Sequence, residues 1–355
     1  MSDHDLGLCL KTSDIVIVGV GVMGAAAGRA LARRGQGVVM LEQFHVGHAR
    51  GSSHGTSRYR QLAAYPTSEY LELGIEAKAL WSDLEQESDR TILHRTGNVS
   101  IGDPGMLQTQ ADALRARDIA CELVAGRDLS ERWVGLTLPE SEPALWQPDG
   151  EVIAADVAIE AFVAAAMAVG AELREDCRFA KLDQRPDHIV VTTSDGEISA
   201  DRVILTTGPW AKETALQVGV DLPVTVSRQT VAYFGLGDFV PPTITDFSGT
   251  EPYALWDPQH GLKAAEHTQG PQADPDEDGA VDGASLARVT DWVHRLFPTA
   301  TADHHRVETC LYTNAPGDEM IIERHGRVVV ASPCSGQGFQ FSPAVGQRVA
   351  ELALE

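Results

Sequence analysis

Three glycines near the start of the chain, Gly19, Gly21 and Gly24, form a G-x-G-x-x-G pattern. Glycines at this spacing permit a tight turn and let backbone N–H groups approach a pyrophosphate. Glu42 follows eighteen residues after Gly24, where a carboxylate accepts hydrogen bonds from adenosine ribose hydroxyls and disfavours a 2′-phosphate. The pattern predicts a dinucleotide site for FAD or NAD; the alternative is a glycine-rich turn beside an unrelated surface glutamate.

The elements around these residues favour the dinucleotide site. Residues 14–18 (DIVIV) form a short apolar run, which is typical of a parallel strand buried on both faces. A helical pattern of small residues covers 25–34 and ends at Gly35, and residues 38–41 (VVML) predict a second strand. The glycines therefore lie between the strand and the helix of a β-α-β unit, as a dinucleotide-binding motif requires.

Beyond residue 41, helical and strand-like stretches alternate. The pattern predicts helices at 68–85, at 152–173 and from about Pro343, strands at 189–193, 202–206 and 327–331, a strand-rich stretch at 227–266, and a polar loop at 270–283. Because α/β sequence returns after the strand-rich middle, we expect a discontinuous nucleotide-binding domain with a second domain inserted in two pieces.

The composition restricts the classes of partner. The formal net charge is −23, from 28 Lys and Arg against 51 Asp and Glu, so nucleic acid and anionic membrane surfaces are not expected partners. The five cysteines form no C-x-x-C pair or zinc-type cluster, which predicts neither a structural metal nor a disulfide framework. We expect a cytoplasmic protein, since no apolar run approaches the ~20 residues of a membrane span and the start is unlike a leader peptide.

Three further segments are more specific: residues 51–61 (GSSHGTSRYRQ), 308–313 (ETCLYT) and 335–342 (SGQGFQFS). Together they resemble the monomeric sarcosine oxidase and N-methyltryptophan oxidase family, and residues 95–97, 208–210, 228–229 and 261–263 fall in the family's order. The resemblance implies FAD rather than NAD. It implies an α/β (α+β) fold, with an FAD-binding Rossmann-like domain at 1–88, 150–222 and 306–355 and an inserted substrate domain built on a mixed β-sheet at 89–149 and 223–305.

Two residues match family positions with a chemical role. A family cysteine in a C-M/L-Y-T context is joined through sulfur to the flavin 8α-methyl group, and Cys310 matches it; the alternatives are a buried thiol without that role and attachment through Cys334. Lys263 matches a family lysine over the flavin ring that promotes reaction of reduced flavin with O2, since a cation stabilises the superoxide-like charge that develops. A solvated surface lysine is the alternative for Lys263.

The same resemblance implies further site residues. His54 and Arg58 match residues that line the active face of the flavin, and Tyr253, His267 and Tyr312 match positions around the substrate. Without the family context, each histidine or tyrosine is equally well a structural residue. The residues implied in cofactor binding are Gly19, Gly21, Gly24, Glu42, Ser52, Arg58, Gly208, Trp210, Cys310, Gly336, Gly338, Phe339 and Gln340.

The chain departs from the family where the substrate carboxylate is bound. Family enzymes hold that carboxylate between an arginine and a lysine, and the matching positions here are Gln61 and Gln340. Glutamines donate hydrogen bonds but do not neutralise a buried anion. Arg60 would supply the charge only if the backbone turned it inward, because neighbouring residues of an extended segment point to opposite faces.

The reaction implied is transfer of a hydride equivalent from the carbon next to a neutral amine nitrogen to FAD, giving an imine that water hydrolyses, with O2 reduced to H2O2. We expect a monomer whose partners are O2 and a small secondary amine, N-methyl or cyclic, without a simple α-amino acid carboxylate. The alternatives are a flavin amine dehydrogenase with another acceptor and a non-catalytic flavin-binding protein. An NAD-dependent dehydrogenase would leave the matches after residue 50 unexplained.

Overall fold

A computed structural model of the protein describes residues 11–62, 68–138, 140 and 142–355; Cys9 lies outside this range. The strands are β1 (Lys11–Val18), β2 (Val38–Leu41), β3 (Ser57–Arg60), β4 (Leu93–Arg95), β5 (Asn98–Ile101), β6 (Glu122–Ala125), β7 (Pro143–Gln147), β8 (Glu151–Ala154), β9 (Glu172–Arg174), β10 (Phe179–Gln184), β11 (Ile189–Thr193), β12 (Gly196–Leu205), β13 (Thr225–Phe234), β14 (Thr243–Asp246), β15 (Pro252–Asp257), β16 (Gly261–Glu266), β17 (Arg306–Asn314), β18 (Ile321–His325) and β19 (Val328–Ser332). The helices are α1 (Val22–Ala32), α2 (Ser68–Ser88), α3 (Pro104–Arg115), α4 (Gly126–Arg132), α5 (Ala155–Ala168), α6 (Ala211–Leu216), α7 (Gly283–Leu296) and α8 (Ser342–Leu354).

The first sheet is built around five parallel strands in the order β19-β12-β1-β2-β9. The hairpin β10–β11 pairs antiparallel with the first half of β12, and β18 pairs antiparallel with β19. Sequential strands β1 and β2 are joined through α1, so the first fifty residues form the predicted β-α-β unit.

Helices and strands bury both faces of this sheet. Ile15 and Ile17 of β1 pack into a cluster with α1, α5 and α8, whereas Val16 and Val18 pack into a second cluster with β11 and α6. Successive side chains of a strand point to opposite faces. The continuous apolar run in the sequence is therefore explained by burial on both sides.

The second sheet has eight strands in the order β17-β13-β16-β15-β14-β5-β7-β6, all antiparallel neighbours except β14 and β5. Helix α7 covers one face, where Trp292 and Val293 pack against Phe234 and Leu262. The residues next to Phe234 and Leu262 along their strands point to the other face of the sheet. Lys263, next to Leu262, is therefore directed away from α7.

A small third sheet, β3-β8-β4, lies beside the other two. Ser57 pairs with Ala154, and Arg60 pairs with Glu151. The β3 strand carries Arg58 of the predicted flavin-facing segment, and β8 leads directly into α5 beneath the first sheet. The third sheet thus connects the two larger sheets at the site.

The mixed α/β architecture is confirmed, and two sequence-based boundaries are wrong. The helix predicted at 152–173 begins at Ala155, because the β-branched Val152 and Ile153 pair with β3 and β4 as β8. It ends before Gly170, whose φ of +102° favours glycine after a helix. The first domain was expected to resume at residue 306, but Arg306–Asn314 pairs along its whole length with β13 in the second sheet.

No helix within the described residues is long and apolar enough to span a membrane. Cys121, Cys177, Cys310 and Cys334 are free thiols. In the described part of the chain, no three His, Cys, Asp or Glu side chains are grouped to hold a metal ion.

Candidate functional site

A cavity of about 530 Å³ lies between the carboxyl ends of the parallel strands and the second sheet. The ends of β1, β2, β12 and β19 contribute residues on one side, and β13, β15, β16 and β17 contribute side chains on the other. Open α/β sheets bind their ligands at this edge. The position of the cavity therefore agrees with the glycine motif.

Close backbone contacts shape the loop after β1. Gly19 has a φ of +91°, and a Cβ atom there would lie 2.6 Å from the carbonyl oxygen of Thr206. A Cβ atom on Gly24 would lie 2.0 Å from the carbonyl oxygen of Gly19. Glycine is required at both positions, and the resulting turn brings the first N–H groups of α1 to the cavity at Gly21.

Glu42 lies at the end of β2 and lines the same part of the cavity. It is 3% exposed, and its carboxylate accepts hydrogen bonds from the backbone N–H groups of Val20 (3.0 Å) and Phe44 (3.1 Å). Burial alone would raise the pKa of Glu42, but the hydrogen bonds from His48 and Val20 lower it. The carboxylate is therefore ionised at neutral pH and accepts further hydrogen bonds.

Lys263 reaches the opposite end of the cavity from β16. Its side chain is 5% exposed, and its Nζ donates a hydrogen bond of 2.8 Å to the carbonyl oxygen of Ser57. Burial, and then the guanidinium of Arg58, lower the pKa of Lys263 to about 7. The solvated surface lysine considered as an alternative is therefore wrong.

Arg58 and His54 lie on the β3 side of the cavity. The Arg58 guanidinium donates to the carbonyl oxygens of Ser57 (2.8 Å), Ser52 (3.0 Å) and His54 (2.8 Å), and it lies 5.5 Å from the centroid of the Phe339 ring. These partners are neutral and do not offset the positive charge of the guanidinium. Burial and the charge of Arg58 lower the pKa of His54, which is therefore neutral at pH 7.

Three tyrosines form an aromatic wall near Lys263 and Arg58. The rings of Tyr59 and Tyr253 have centroids 5.7 Å apart at 60°, and the hydroxyl groups of Tyr253 and Tyr312 are hydrogen-bonded. Burial raises the pKa of all three, so they remain neutral. Neutral aromatic faces suit the alkyl groups and the nitrogen of an amine.

Cys310 lies on β17, and its side chain lines the cavity. Its Sγ is 3.8 Å from the carbonyl oxygen of Ser52 and 3.9 Å from the guanidinium of Arg58. Cys334 also lines the cavity, but burial raises the pKa of its thiol to about 11.

Glu308 precedes Cys310 by two residues and therefore shares its face of β17. Its carboxylate accepts a hydrogen bond of 2.9 Å from the Tyr233 hydroxyl and pairs with Arg306. Burial alone would raise the pKa of Glu308, but the hydrogen bonds from Arg306 and Tyr233 lower it. The lysine end of the cavity thus contains an ionised carboxylate that the sequence analysis did not assign to the site, although it lies in the segment 308–313.

The wall at the two glutamines is uncharged. Gln340 lines the cavity, and its Oε1 accepts a hydrogen bond of 3.0 Å from the backbone N–H of Gln61. The Gln61 side chain is 1% exposed and accepts a hydrogen bond from Thr245 instead (3.2 Å). Arg60 forms a buried ion pair with Glu151 at 2.7 Å. Arg60 is therefore committed to the third sheet and does not turn inward.

Residues 14–352 match the family described as FAD dependent oxidoreductase. The chain belongs to the FAD dependent oxidoreductase family. A family match over nearly the whole chain decides between FAD and NAD in favour of FAD.

Relatives of this FAD dependent oxidoreductase include the monomeric sarcosine oxidase of Bacillus sp. (strain B-0618), 30% identical over 96% of this chain and 92% of the relative. The N-methyl-L-tryptophan oxidase of Salmonella arizonae is 27% identical over 96% and 95%. Among solved structures, NikD, an unusual amino acid oxidase essential for nikkomycin biosynthesis, superimposes with a TM-score of 0.87 at 25% identity over 97% and 94%. The family resemblance and the prediction of a flavin-dependent amine oxidoreductase are confirmed.

The residues along the cavity fit FAD. The hydroxyl of Ser52 is buried without a hydrogen-bond partner among the described residues, although the residue lines the cavity. A buried hydroxyl of this kind requires a partner, and a bound cofactor provides one. The glycine loop, the N-terminus of α1 and the ionised Glu42 offer the donors and the acceptor that a pyrophosphate and a ribose need.

The structure brings most of the implied site residues together around the cavity. Those that line it are Gly19, Gly21, Glu42, Ser52, His54, Arg58, Gly208, Trp210, Tyr253, Lys263, Cys310, Tyr312, Gly336, Gly338, Phe339 and Gln340. Gly24 lies behind the loop as a packing residue, and Gln61 lies behind Gln340. His267 also lies outside the lining, with its ring 5.6 Å from that of Tyr312.

Sequence reasoning missed several lining residues. Tyr59, Tyr233, Leu255 and Glu308 all line the cavity. The period of two along β17 and β15 would have found Glu308 from Cys310, and Leu255 from Tyr253. Tyr233 gave no such signal, because it reaches the site only through the pairing of β13 with β16 and β17.

Proposed function

We propose that the protein oxidises the C–N bond of a secondary amine, N-methyl or cyclic, to an imine, and that O2 accepts the electrons and leaves as H2O2. The observation that carries this proposal is Lys263, a buried ammonium inside the cavity of an FAD dependent oxidoreductase. Water then hydrolyses the imine to a carbonyl compound and an amine. The overall reaction consumes one O2 and one water for each amine.

FAD, when bound, supplies the two-electron acceptor for the hydride equivalent that leaves the carbon next to nitrogen. Residues of this chain that would hold it are those of the glycine loop, Glu42, Ser52 and the segment 336–340. Arg58 and Lys263 line the same cavity away from the glycine loop, so their positive charges favour a negative charge developing there.

The side chains around the tyrosine wall would hold the amine in its reactive protonation state. Arg58 is positively charged and Lys263 is partly so at neutral pH, since its pKa is about 7. Both charges disfavour a second cation and so lower the pKa of a bound amine. His54 is neutral and available as a hydrogen-bond partner. The reaction then needs correct placement of the amine and no strong base.

The glutamine wall supports a substrate without an α-carboxylate at that position. A carboxylate placed against Gln340 would lose its hydration without meeting a cation, because the charge of Arg60 is neutralised by Glu151. We therefore propose that N-methylethylamine, the carboxylate-free analogue of sarcosine, is oxidised more efficiently than sarcosine.

The test is a panel of secondary amines mixed with the yellow protein under nitrogen, followed by O2. Bleaching of the flavin spectrum by an amine, then recovery with one H2O2 per turnover, is the expected result. Bleaching without recovery in O2 would favour an amine dehydrogenase with another acceptor. No bleaching by any amine would contradict the proposal and favour a flavin-binding protein without catalysis.

We also propose that FAD is attached covalently through Cys310. The position of the Cys310 thiol in the cavity, beside the Arg58 guanidinium, supports this proposal. Burial raises the pKa of the Cys334 thiol, which disfavours a thiolate at that position. After acid precipitation, flavin absorbance should remain with the wild-type pellet and with the Cys334→Ser pellet, and should appear in the supernatant of Cys310→Ser. Flavin in the wild-type supernatant would show that FAD is not attached covalently.

A further inference from the structure

A second buried charge lies next to the Lys263 site. Asp257 ends β15 and is 1% exposed, and its two oxygens accept four hydrogen bonds, all from neutral donors. Burial alone would raise the pKa of Asp257, but the hydrogen bonds from Ser57 and Thr56 lower it. A buried, ionised carboxylate is costly to maintain, so its position calls for an explanation.

The hydrogen bonds of Asp257 divide between two parts of the chain. Oδ1 accepts from the backbone N–H groups of Gln259 and His260, both at 2.9 Å, and these bonds close the turn between β15 and β16. Oδ2 accepts from the hydroxyls of Thr56 (2.5 Å), which directly precedes β3, and Ser57 (2.6 Å), which begins it. Closing the turn needs only the first pair, and an asparagine would do it equally well.

Ser57 connects Asp257 to Lys263. Its hydroxyl is held by Asp257, and its carbonyl oxygen accepts the hydrogen bond from Lys263 Nζ at 2.8 Å. In the β15–β16 hairpin, Asp257 pairs with Gly261 and Leu255 pairs with Lys263, so the carboxylate and the lysine are adjacent on one face. Ser57 is thus held at its hydroxyl by Asp257 and at its carbonyl oxygen by Lys263.

We propose that Asp257 is a positioning residue for Lys263: it anchors the Ser57 carbonyl that holds the ammonium and supplies negative charge that keeps the ammonium protonated in the cavity. This inference rests on the proposed role of Lys263 in the reaction with O2. It assigns to the Asp257–Ser57–Lys263 chain a function in the oxidative half of the reaction, separate from amine binding at the tyrosine wall.

The electrostatic surroundings of Lys263 support this role. Burial and Arg58 act against the charged form, whereas Cys310, Asp257 and Glu308 favour it. His54 also faces Lys263 and is neutral, and the neighbouring Tyr233 has a raised pKa because of its burial. Of these groups, Asp257 also accepts a hydrogen bond from Ser57, whose carbonyl oxygen accepts the hydrogen bond of the Lys263 ammonium. Its removal should therefore change both the geometry and the protonation of Lys263.

The first measurement is the titration of Lys263 in Asp257→Asn. The chain has five lysines, Lys11, Lys78, Lys181, Lys212 and Lys263. In the holoenzyme labelled with ¹³C at lysine Cε, the Lys263 NMR signal is identified by its loss in Lys263→Met. We expect a midpoint near 7 in the wild type and a lower midpoint in Asp257→Asn, by about one unit, which is about a tenfold smaller protonated fraction above the midpoint.

The second measurement uses holoenzyme reduced by dithionite and mixed with O2, so that no substrate needs to be known. We expect reoxidation of Asp257→Asn to be about fivefold slower at pH 7, in proportion to the lost ammonium. The matched control is Asp246→Asn. Asp246 is also buried in the second sheet, where it accepts hydrogen bonds from Ser248 and Trp292 away from the cavity, and its variant should match the wild type in both measurements.

The outcomes separate this inference from the proposed function. If Lys263→Met reoxidises as fast as the wild type, the role of Lys263 itself is wrong and the inference is overturned with it. If Lys263→Met is slow but Asp257→Asn keeps the wild-type titration and rate, Asp257 only closes the turn. Should Asp257→Asn not fold, the double variant Thr56→Val/Ser57→Ala detaches the carboxylate from β3; a wild-type reoxidation rate there would likewise overturn the inference.

Discussion

The two ends of the cavity are built by different means. At the dinucleotide end, residues 19–24 shape a backbone turn, and one ionised side chain, Glu42, comes from the adjacent strand. At the opposite end, the functional groups are side chains from β3, β15, β16 and β17, and two that touch, Arg58 and Cys310, are 252 residues apart in sequence.

This difference predicts how each end responds to substitution. A Cβ atom added to the backbone turn meets other backbone atoms, which have no alternative position, so the FAD-binding domain itself should fail. A side chain removed from the opposite end leaves the strands paired, so the protein should fold and change in rate or specificity. The four predictions that follow test this contrast, from the largest expected effect to the smallest.

Gly24→Ala should abolish FAD binding. The new Cβ would lie 2.0 Å from the Gly19 carbonyl oxygen, and moving that oxygen would displace the turn that receives the pyrophosphate. Gly28→Ala is the matched control on the same helix, because its Cβ would meet the flexible end of Met40 at 2.5 Å, and that side chain is able to move. The ratio of flavin to protein absorbance after purification measures the effect. A Gly24→Ala protein with full flavin content would contradict the proposed difference between the two ends of the cavity.

The same contrast explains which parts of the fold were predictable. The β1-α1-β2 unit follows from short-range patterns: an apolar strand, three glycines at fixed spacing, and a helix of small residues. Gly24 and Gly28 allow α1 to pack closely on the first sheet, and their contacts are local, with Gly19, Ile17 and Met40, except for that of Gly24 with Thr206 after β12. Local contacts leave a signal in local sequence, so the fold at this end of the cavity is predicted correctly.

The opposite end depends on long-range pairing that no local pattern specifies. Arg306–Asn314 reads as the start of a returning α/β segment, yet it belongs to the second sheet because β13 supplies its partner. Val152 and Ile153 continue the helical pattern of α5, yet they pair with β3 and β4. Asp257 has no motif around it, and its role depends on Ser57 from another sheet. Here only the family resemblance supplied the site residues.

Arg60→Met should destabilise the protein by about 3–5 kcal/mol, because it leaves the carboxylate of Glu151 buried without its partner. Urea unfolding measures the loss, and the double variant Arg60→Met/Glu151→Leu should recover most of it. The exposed pair of Arg90 and Glu160 provides the control, since Arg90→Met should cost less than about 1 kcal/mol. This prediction separates stability from function within one region. The Arg60–Glu151 pair lies beside the site, yet its removal should change the stability and leave the reaction rates of the folded protein unchanged.

Gln340→Lys should improve the use of sarcosine relative to N-methylethylamine by about 10–100-fold in kcat/KM, since a charge-assisted hydrogen bond contributes about 1.5–3 kcal/mol. Some stability should be lost, because Gln340 Oε1 accepts the backbone N–H of Gln61 and a lysine does not. Gln340→Met keeps the length without the charge and should leave the preference unchanged. Equal gains for both substrates would show that the glutamine wall does not select against carboxylates.

The smallest effect is a pair of opposite pH dependences from one cavity. The ammonium of Lys263 has a pKa of about 7, so its protonated fraction falls about tenfold per unit above that pH, and the reaction of reduced flavin with O2 should slow as the pH rises. Reduction by the substrate should instead speed up with pH until the bound amine is fully neutral, because only the neutral amine releases a hydride equivalent.

Stopped-flow measurements of the two half-reactions between about pH 6 and 9 separate these slopes. This range runs from about one unit below the Lys263 midpoint to about two units above it. Lys263→Met should flatten the profile of the O2 reaction and leave that of reduction sloped, because the amine carries its own proton. The His54 pKa lies below its ordinary value, so this residue is already neutral and adds no step above pH 7. If the rates of both half-reactions rose with pH in the wild type, the Lys263 ammonium would not assist the reaction with O2. The two ends of the cavity would then differ in construction but not in the reaction step that each controls.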